Sequence, residues 1–229
     1  MVKIFAYNFK KVLHKNDFKF IMGVLSESEK RRIDSFKRKD DQVRNMLGRY
    51  LLRKILSKYL DIFPEKIELT SNDYGKPIFS NDKFNNINFN VSYSGDWIVV
   101  VVSEHGKIGV DIEKIRPVNI TISENCFAKE EILYLYNQKV RKLKTFYKIW
   151  TLKESFVKAI GEGLFCSLKS FYFEFDRSGR IKIRIKNKVK DNDTWYFKMY
   201  NIDKSYKMAL CQNKNSFPKK INIINNFVI

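Results

Sequence analysis

Two acidic side chains near the middle of the chain have the spacing of a metal site. Asp111 and Glu113 are separated by a single residue at the end of an otherwise apolar segment, residues 108–113. On a β-strand alternate side chains share a face, so both carboxylates point one way while Val110 and Ile112 point into the core. Two like charges this close favour a cation between them, and Mg²⁺ prefers oxygen ligands. The pair is compatible with a magnesium site, but taken alone a solvated strand end is the simpler interpretation.

A second charged pair occurs on a predicted helix, residues 145–160. Glu154 and Lys158 stand one helical turn apart on the same face. The simpler interpretation is an i,i+4 ion pair worth about 0.3 kcal/mol beside a buried apolar stripe. The functional interpretation makes Glu154 a third carboxylate for the metal and Lys158 a cation for phosphate oxygens. The helix by itself favours the simpler interpretation.

A third set of side chains suits a phosphorylated ligand, because it combines cations, hydroxyl groups and a glycine loop with exposed N–H groups. The set comprises Lys30, Arg32, Arg44, Gly75, Lys76, Ser92, Tyr93 and Ser94. The loop is not a Walker A motif, since the upstream glycine and the following Ser or Thr are missing. An ordinary turn with a solvated lysine explains Gly75 and Lys76 equally well.

Two other kinds of catalytic site are excluded by the residues present. His14 and His105 are isolated and the chain has no Cys-x-x-Cys, so a zinc site built from Cys and His is not expected. A serine hydrolase is not expected either, because no Gly-x-Ser-x-Gly occurs and neither histidine is placed to act as its base.

The elements that must position these residues follow from apolar periodicity. The pattern gives a strand, helices and strands, and then the same order again. It predicts an α+β fold of two halves, residues 1–106 and 107–229, joined near Gly106. Ser26 and Glu29 form a capping-box pattern at the start of one helix. Gly161 and Gly163 are expected to end the helix of Glu154.

The charge of the chain narrows the class of partner. The sequence has 44 Lys and Arg against 25 Asp and Glu, a formal charge of +19. Such an excess steers acidic proteins or polyanions toward the surface. An AT-rich coding bias, which also enriches Asn, Ile and Lys, is the alternative source of the excess.

Three features predict a cytoplasmic protein that does not contact a membrane. The longest apolar run, residues 97–102, is far shorter than the ~20 residues of a membrane helix. Residues 1–7 lack the layout of a secretory signal. The three cysteines are odd in number and widely spaced, which suits a reducing compartment. We expect a monomer.

Taken together, the motifs resemble the Sfp-type 4′-phosphopantetheinyl transferases, which activate carrier proteins of peptide and polyketide synthetases. Three anchors occur in the order of that family. They are residues 74–77 with 90–95, residues 108–113, and residues 146–158 followed by Gly161-Glu162-Gly163-Leu164. The similarity spans residues 3–211, and the second and third anchors together are its specific part.

The resemblance implies a fold and a metal site. It implies two similar α+β halves related by a pseudo-twofold, with coenzyme A and Mg²⁺ in the cleft between them. The first half would contact the nucleotide, and the second would hold the metal and dock the carrier. Asp111 and Glu113 match the strand carboxylates that hold the metal, and Glu154 matches the helix carboxylate that completes the set. Glu131 matches a glutamate at the edge of the metal site.

The resemblance also implies the contacts to coenzyme A. Lys158 matches the lysine near the pyrophosphate, and Lys153 matches a second basic residue of the same motif. The positions that match contacts to the nucleotide and its phosphates are Arg32, Arg44, Lys76 and Ser92. At Tyr93 the family usually has a histidine associated with the 3′-phosphate, so recognition of that phosphate is expected to depend on Arg32, Arg44 and nearby lysines. Glu29 stands at the position where the family has a basic residue, early in the first loop.

The implied reaction is a magnesium-dependent transfer. A serine of an apo acyl or peptidyl carrier protein attacks the β-phosphorus of coenzyme A and 3′,5′-ADP is released. Mg²⁺ and Lys158 would neutralise charge, and Glu131, Glu113 and Glu154 all remain candidates to accept the serine proton. The partner is an acidic carrier protein, met by apolar contacts near residues 118–127.

The competing hypothesis is a basic nucleic-acid-binding protein without enzymatic activity. Aromatic side chains such as Tyr134, Tyr136 and Phe146 are interleaved with cations, as in nucleic-acid interfaces. It predicts salt-sensitive binding that is independent of coenzyme A. This hypothesis leaves the three carboxylates unexplained, and we therefore expect no nucleic-acid partner.

Overall fold

The computed structural model describes residues 1–9, 15–84, 86–161, 167–176, 178–186 and 193–225. The described residues do not include His14, Cys166, or Glu162, Gly163 and Leu164 of the third anchor. Within these ranges no helix has the length and apolar character needed to cross a membrane.

The first half of the chain forms a sheet that is covered on one face by helices. Its elements, in chain order, are β1 (Val2–Asn8), α1 (Lys15–Val24), α2 (Glu27–Asp34), α3 (Lys39–Leu60), β2 (Leu69–Ser71), β3 (Pro77–Phe79), β4 (Asn88–Ser94) and β5 (Trp97–Ser103). The capping box predicted at Ser26 and Glu29 is confirmed at the start of α2.

The second half repeats this organisation with a sheet and a long helix. Its elements are β6 (Ile108–Lys114), α4 (Ser123–Cys126), α5 (Lys129–Tyr136), α6 (Lys142–Ile160), β7 (Phe171–Phe175), β8 (Ile181–Ile185), β9 (Tyr196–Tyr200), β10 (Tyr206–Gln212) and β11 (Asn222–Ile224). Helix α6 begins earlier than predicted because Thr145 N donates to Arg141 O at 2.9 Å and closes an additional first turn.

The two halves have the same strand topology. In the first, β1 pairs antiparallel with β5, and β5 pairs antiparallel with β4. In the second, β6 pairs antiparallel with β10, and β10 pairs antiparallel with β9. The α+β fold of two similar halves is therefore confirmed. The tail departs from this symmetry, because β11 lies parallel to β1 at the edge of the first sheet.

Apolar clusters between the layers show how the halves stack. One face of the first sheet packs against α3, with Leu51 and Val100 in the same buried cluster. Its other face packs against the second sheet, where Val99, Val101 and Val110 are buried together. The opposite face of the second sheet packs on α6. The order of layers is helices, sheet, sheet, helices, and both sheets are buried on two sides.

Helix α6 lies directly against β6 at Gly109. A Cβ atom at this position would lie 2.1 Å from Ser155 O and 2.4 Å from Ala159 N, both main-chain atoms of α6. Only glycine permits this distance without moving the helix. Because β6 alternates, the side chains that share this face with Gly109 are Asp111 and Glu113, and they face the same helix.

Candidate active site

Asp111 lies at the point where the two halves meet. It is buried, and its Oδ1 accepts from Ser92 Oγ of β4 at 3.0 Å and from Lys158 Nζ of α6 at 2.6 Å. Its Oδ2 is buried and has no hydrogen-bond partner among the described residues. Burial raises the pKa of the Asp111 carboxyl, and the Lys158 ammonium opposes that rise.

Glu113 and Glu154 add two further carboxyl groups beside Asp111. Ser94 Oγ donates to Glu113 Oε2 at 2.6 Å. Burial and the charge of Asp111 raise the pKa of Glu113 to about 7, and Glu154 contributes to that rise. Burial and the charge of Asp111 also raise the pKa of Glu154. The strand and the helix therefore bring all three predicted metal carboxylates into one electrostatic cluster.

Lys158 is the cation of this cluster. Besides Asp111, it contacts Ser92 Oγ at 3.2 Å. Burial acts to lower the pKa of Lys158, but Asp111, Glu154 and Glu113 together raise it above its usual value. The ammonium group therefore stays charged and partly compensates three carboxylates.

The cluster fits a hard divalent cation by its chemistry. It supplies carboxylate oxygens, which Mg²⁺ prefers, and the unpartnered Oδ2 of Asp111 is a buried acceptor that lacks a donor. In the described ranges, no three His, Cys, Asp or Glu residues are already arranged around a common metal position. In this structure the ammonium group of Lys158 lies against one oxygen of Asp111.

Side chains of β4 connect the two sheets next to this cluster. Alternate residues of β4 accept from main-chain N–H groups on the free edge of β6. The pairs are Asn90 Oδ1 with Val110 N at 3.0 Å, Ser92 Oγ with Ile112 N at 3.2 Å, and Ser94 Oγ with Lys114 N at 3.1 Å. Ser92 and Ser94 also donate to Asp111 and Glu113, so each serine fixes both a backbone N–H group and a carboxylate.

The opposite face of β4 borders a cavity of about 150 Å³ within the first half. Tyr93 lies on this face, and α3 provides the facing wall through Gly48 and Arg49. Arg32 lies against the loop at Gly75, and its guanidinium nitrogens are 3.9 Å from where a Cβ of Gly75 would be. Since Ser92 and Tyr93 are consecutive, the carboxylate cluster and the cationic cavity lie on the two faces of one strand.

Comparison with known proteins identifies the family. Residues 13–105 match the sequence model described as 4′-phosphopantetheinyl transferase, N-terminal, and residues 107–211 match the 4′-phosphopantetheinyl transferase superfamily. The 4′-phosphopantetheinyl transferase ffp of Bacillus subtilis is 31% identical over 224 residues, which are 97% of each chain. The 4′-phosphopantetheinyl transferase Sfp of Bacillus subtilis (strain 168) is 30% identical over 224 residues, again 97% of each chain. The chain belongs to the 4′-phosphopantetheinyl transferase family.

Membership of the 4′-phosphopantetheinyl transferase family decides between the two hypotheses drawn from the sequence. The chain is an enzyme, so the alternative of a basic protein without enzymatic activity is wrong. The resemblance deduced from the three anchors is confirmed by the relatives, whose alignment extends over nearly the whole chain.

The transferase holds Glu131 and Lys153 together in the core of its second half. Both side chains are fully buried, and Lys153 Nζ lies 2.8 Å from Glu131 Oε2. Glu131 also accepts from Ala128 N at 3.0 Å and from Phe173 N at 3.1 Å. Lys153 donates to main-chain oxygens of Leu168 and Phe171. These contacts fasten α5 and α6 to β7, whereas Glu154, next on the helix, faces Asp111.

Two cationic side chains that were expected to contact phosphate instead donate hydrogen bonds to oxygen atoms of the protein. Lys76 Nζ reaches Ala159 O at 3.4 Å and Ile108 O at 3.5 Å, next to the carboxyl end of α6, and burial lowers its pKa to about 8. Arg44 Nε donates to Gly95 O at 3.1 Å, and its Nη1 donates to Asp41 at 2.5 Å. Arg32 and Tyr93, by contrast, border the cavity.

Sequence reasoning missed two side chains that the structure places at the site, Asn90 and Arg49. Asn90 continues on β4 the alternation of Ser92 and Ser94, and that period of two is the signal that could have identified it. Arg49 lies on the cavity side of α3 with Asn45 and Gly48, at helical spacing. The sequence alone does not distinguish such an arginine from a solvent-exposed cation on the same helix. The buried position of Glu29, paired with Arg53 at 2.8 Å, explains why no cation stands there.

Proposed function

We propose that this transferase moves 4′-phosphopantetheine from coenzyme A onto a serine of an apo acyl or peptidyl carrier protein, and that it releases 3′,5′-ADP. The single observation that carries the proposal is the convergence of Asp111 and Glu113 on β6 with Glu154 and Lys158 on α6. Such a cluster suits transfer at a pyrophosphate, which requires charge neutralisation and positioning more than covalent catalysis.

The reaction exchanges one phosphorus–oxygen bond for another. The serine oxygen bonds to the β-phosphorus, the bond from that phosphorus to the bridging oxygen breaks, and 3′,5′-ADP leaves with the electron pair. Asp111, Glu113 and Glu154 would hold Mg²⁺, which when bound supplies positive charge to the pyrophosphate. Lys158 supplies a second cation and, with Ser92, orients Asp111.

Glu113 and Glu154 are the candidates within this cluster to accept the serine proton, directly or through water. A catalytic role for Glu131 remains a prediction. The buried contacts of Glu131 support a role in holding α6 against β7.

The two halves divide the work of binding in this proposal. Residues 1–106 contact the nucleotide through Arg32, Tyr93 and the loop of Lys76, and Arg44 braces the turn at Gly95. Residues 107–229 hold the metal and dock the carrier. The formal charge of +19 favours an acidic carrier by steering its approach. We assign the carrier to peptide or polyketide synthetases because of the resemblance drawn from the sequence.

The proposal includes a monomeric enzyme in the cytoplasm. Cys126 and Cys211, the cysteines in the described ranges, are free, which agrees with a reducing compartment.

The test is direct transfer in solution. The protein is incubated with Mg²⁺, coenzyme A and a panel of apo-carrier proteins, and intact mass spectrometry detects the phosphopantetheine adduct. Asp111→Ala and Glu154→Ala should each abolish the adduct while the fold is retained. Glu174→Ala, at an exposed position of β7, is the matched control and should transfer normally. Full activity of Asp111→Ala or Glu154→Ala would refute the proposed metal site.

A further inference from the structure

Arg49 has a guanidinium group without enough acceptors. Its side chain is 17% exposed, and its Nη1 lies 3.2 Å from Glu29 Oε1. Its Nε is buried and has no hydrogen-bond partner among the described residues. Buried N–H groups are nearly always paired in folded proteins, so the described residues leave the donors of this guanidinium incompletely satisfied.

The ion pairs around Arg49 leave a positive charge uncompensated. Glu29 is the carboxylate in contact with Arg49, but it already pairs with Arg53, whose Nη2 lies 2.8 Å from Glu29 Oε2. Arg53 is fully buried and also donates to main-chain oxygens, so it is fixed in place. One carboxylate therefore faces two guanidinium groups, and Arg49 is the one that borders the cavity.

The cavity itself is cationic. Arg32 and Arg49 both line it, and its described lining contains no carboxylate. Asn45 and Tyr93 add polar groups to the same walls. Two guanidinium groups beside a polar wall suit a phosphate, because the planar guanidinium binds phosphate oxygens through two parallel hydrogen bonds.

Arg44 does not supply this charge in the structure. Its Nε donates to Gly95 O and its Nη1 to Asp41, while a second carboxylate, Asp40, lies 3.8 Å from its Nη2. Although Arg44 is on the same helix, its guanidinium is occupied by the protein.

We infer that Arg49 is the residue that makes this transferase specific for the phosphate on the ribose 3′ position of coenzyme A. The inference rests on the proposed function. Coenzyme A carries phosphate at two places, the 5′ pyrophosphate and the 3′ position of the ribose. The carboxylate cluster with Lys158 is the site of the pyrophosphate, so the cavity on the other face of β4 receives the 3′-phosphate.

The experiment compares coenzyme A with 3′-dephospho-coenzyme A as donors to one apo-carrier protein. Arg49→Gln should raise the KM for coenzyme A about tenfold, the loss expected for a charge-assisted hydrogen bond. The KM for the dephospho donor should change less than about twofold. Arg49→Lys keeps the positive charge but not the planar guanidinium. Its KM for coenzyme A should lie between that of the wild type and that of Arg49→Gln. Lys58→Gln, an exposed cation on the same helix, is the matched control.

A purely structural role of Arg49 gives a different result. If the residue only holds α2 through Glu29, Arg49→Gln changes both donors by the same factor, and the inference is overturned. An unchanged KM for coenzyme A in Arg49→Gln overturns it as well.

A binding measurement separates this inference from the proposed function. The nucleotides 3′,5′-ADP and AMP differ only in the 3′-phosphate, and neither requires a carrier. The wild-type protein should melt at a higher temperature with 3′,5′-ADP than with AMP, and Arg49→Gln and Arg49→Lys should reduce that difference. Should no transfer be seen with any carrier, the proposed function fails while this comparison still decides the role of Arg49. Equal melting shifts for the two nucleotides in the wild type refute the inference.

Discussion

The ammonium group of Lys158, on α6, lies 2.6 Å from Oδ1 of Asp111, on β6. The sequence pairs Lys158 with Glu154 on the helix and Asp111 with Glu113 on the strand. In the folded chain the closest charge pair instead joins the helix to the strand. In this arrangement the lysine stabilises a buried carboxylate, and Asp111 Oδ2 is left as the acceptor that has no donor.

Removing Lys158 should destabilise the fold through Asp111. Lys158→Met leaves a buried carboxylate without its cation, and we expect the free energy of unfolding to fall by about 3 kcal/mol. Asp111→Asn in the same chain removes that charge and should recover most of the loss. Urea unfolding of the two single variants and the double variant gives the coupling free energy. Additive losses would show that the 2.6 Å contact contributes no stability.

The carboxyl of Glu113 makes stability depend on pH. Its pKa is raised from 4.5 to about 7, so between these values the folded state binds more protons than the unfolded state. Stability should therefore fall as pH rises through this window, by about 1.4 kcal/mol for each pKa unit of the shift. This loss in the free energy of unfolding is absent below pH 4.5 and complete above pH 7.

Glu113→Gln should reduce that slope. The measurement is the free energy of unfolding from pH 4.5 to 8 in EDTA, compared with Glu174→Gln, an exposed strand glutamate. Asp111 and Glu154 act in the same direction, so the slope decreases without vanishing. An unchanged slope in Glu113→Gln would contradict the assignment.

The buried pair of Glu131 and Lys153 should matter for stability more than an exposed pair. Glu131→Gln leaves Lys153 charged in the core and should cost about 3–5 kcal/mol, whereas Glu131→Gln with Lys153→Met should cost less. Glu130→Gln, which breaks the exposed contact with Lys186, is the matched control and should cost less than about 1 kcal/mol. Denaturant unfolding measures all three. A Glu131→Gln variant as stable as the control would show that the pair does not hold α6 in place.

Two glycines should respond in opposite ways to an added methyl group. Gly109→Ala places a Cβ within 2.4 Å of main-chain atoms of α6, so the helix that carries Glu154 and Lys158 must move. We expect a loss of about 3 kcal/mol in stability. Gly48→Ala meets the side chains of Tyr93 and Val91 at 3.7 Å, an ordinary contact, and should gain about 1 kcal/mol from helix propensity. Thermal melting separates the two, and equal effects would contradict the close approach of α6 to β6.

Periodicity along the chain allowed the sequence to predict the elements and part of the site. The alternation of residues 108–113 puts Asp111 and Glu113 on one face, because strand geometry fixes it locally. The helical turn does the same for Glu154 and Lys158. The capping box at Ser26 and Glu29 and the repeated order of elements are also local patterns, and the structure confirms them.

Contacts between distant segments were decided only by the tertiary structure. Sequence could not show that Arg44 binds a turn while Arg49 borders a cavity, because both are arginines on one helix and differ only in the face they occupy. Nor could it show that Glu131 pairs with Lys153, or that β11 returns to the first sheet. Backbone geometry sets which side chains share a face, whereas packing of one face against another sets which charges meet.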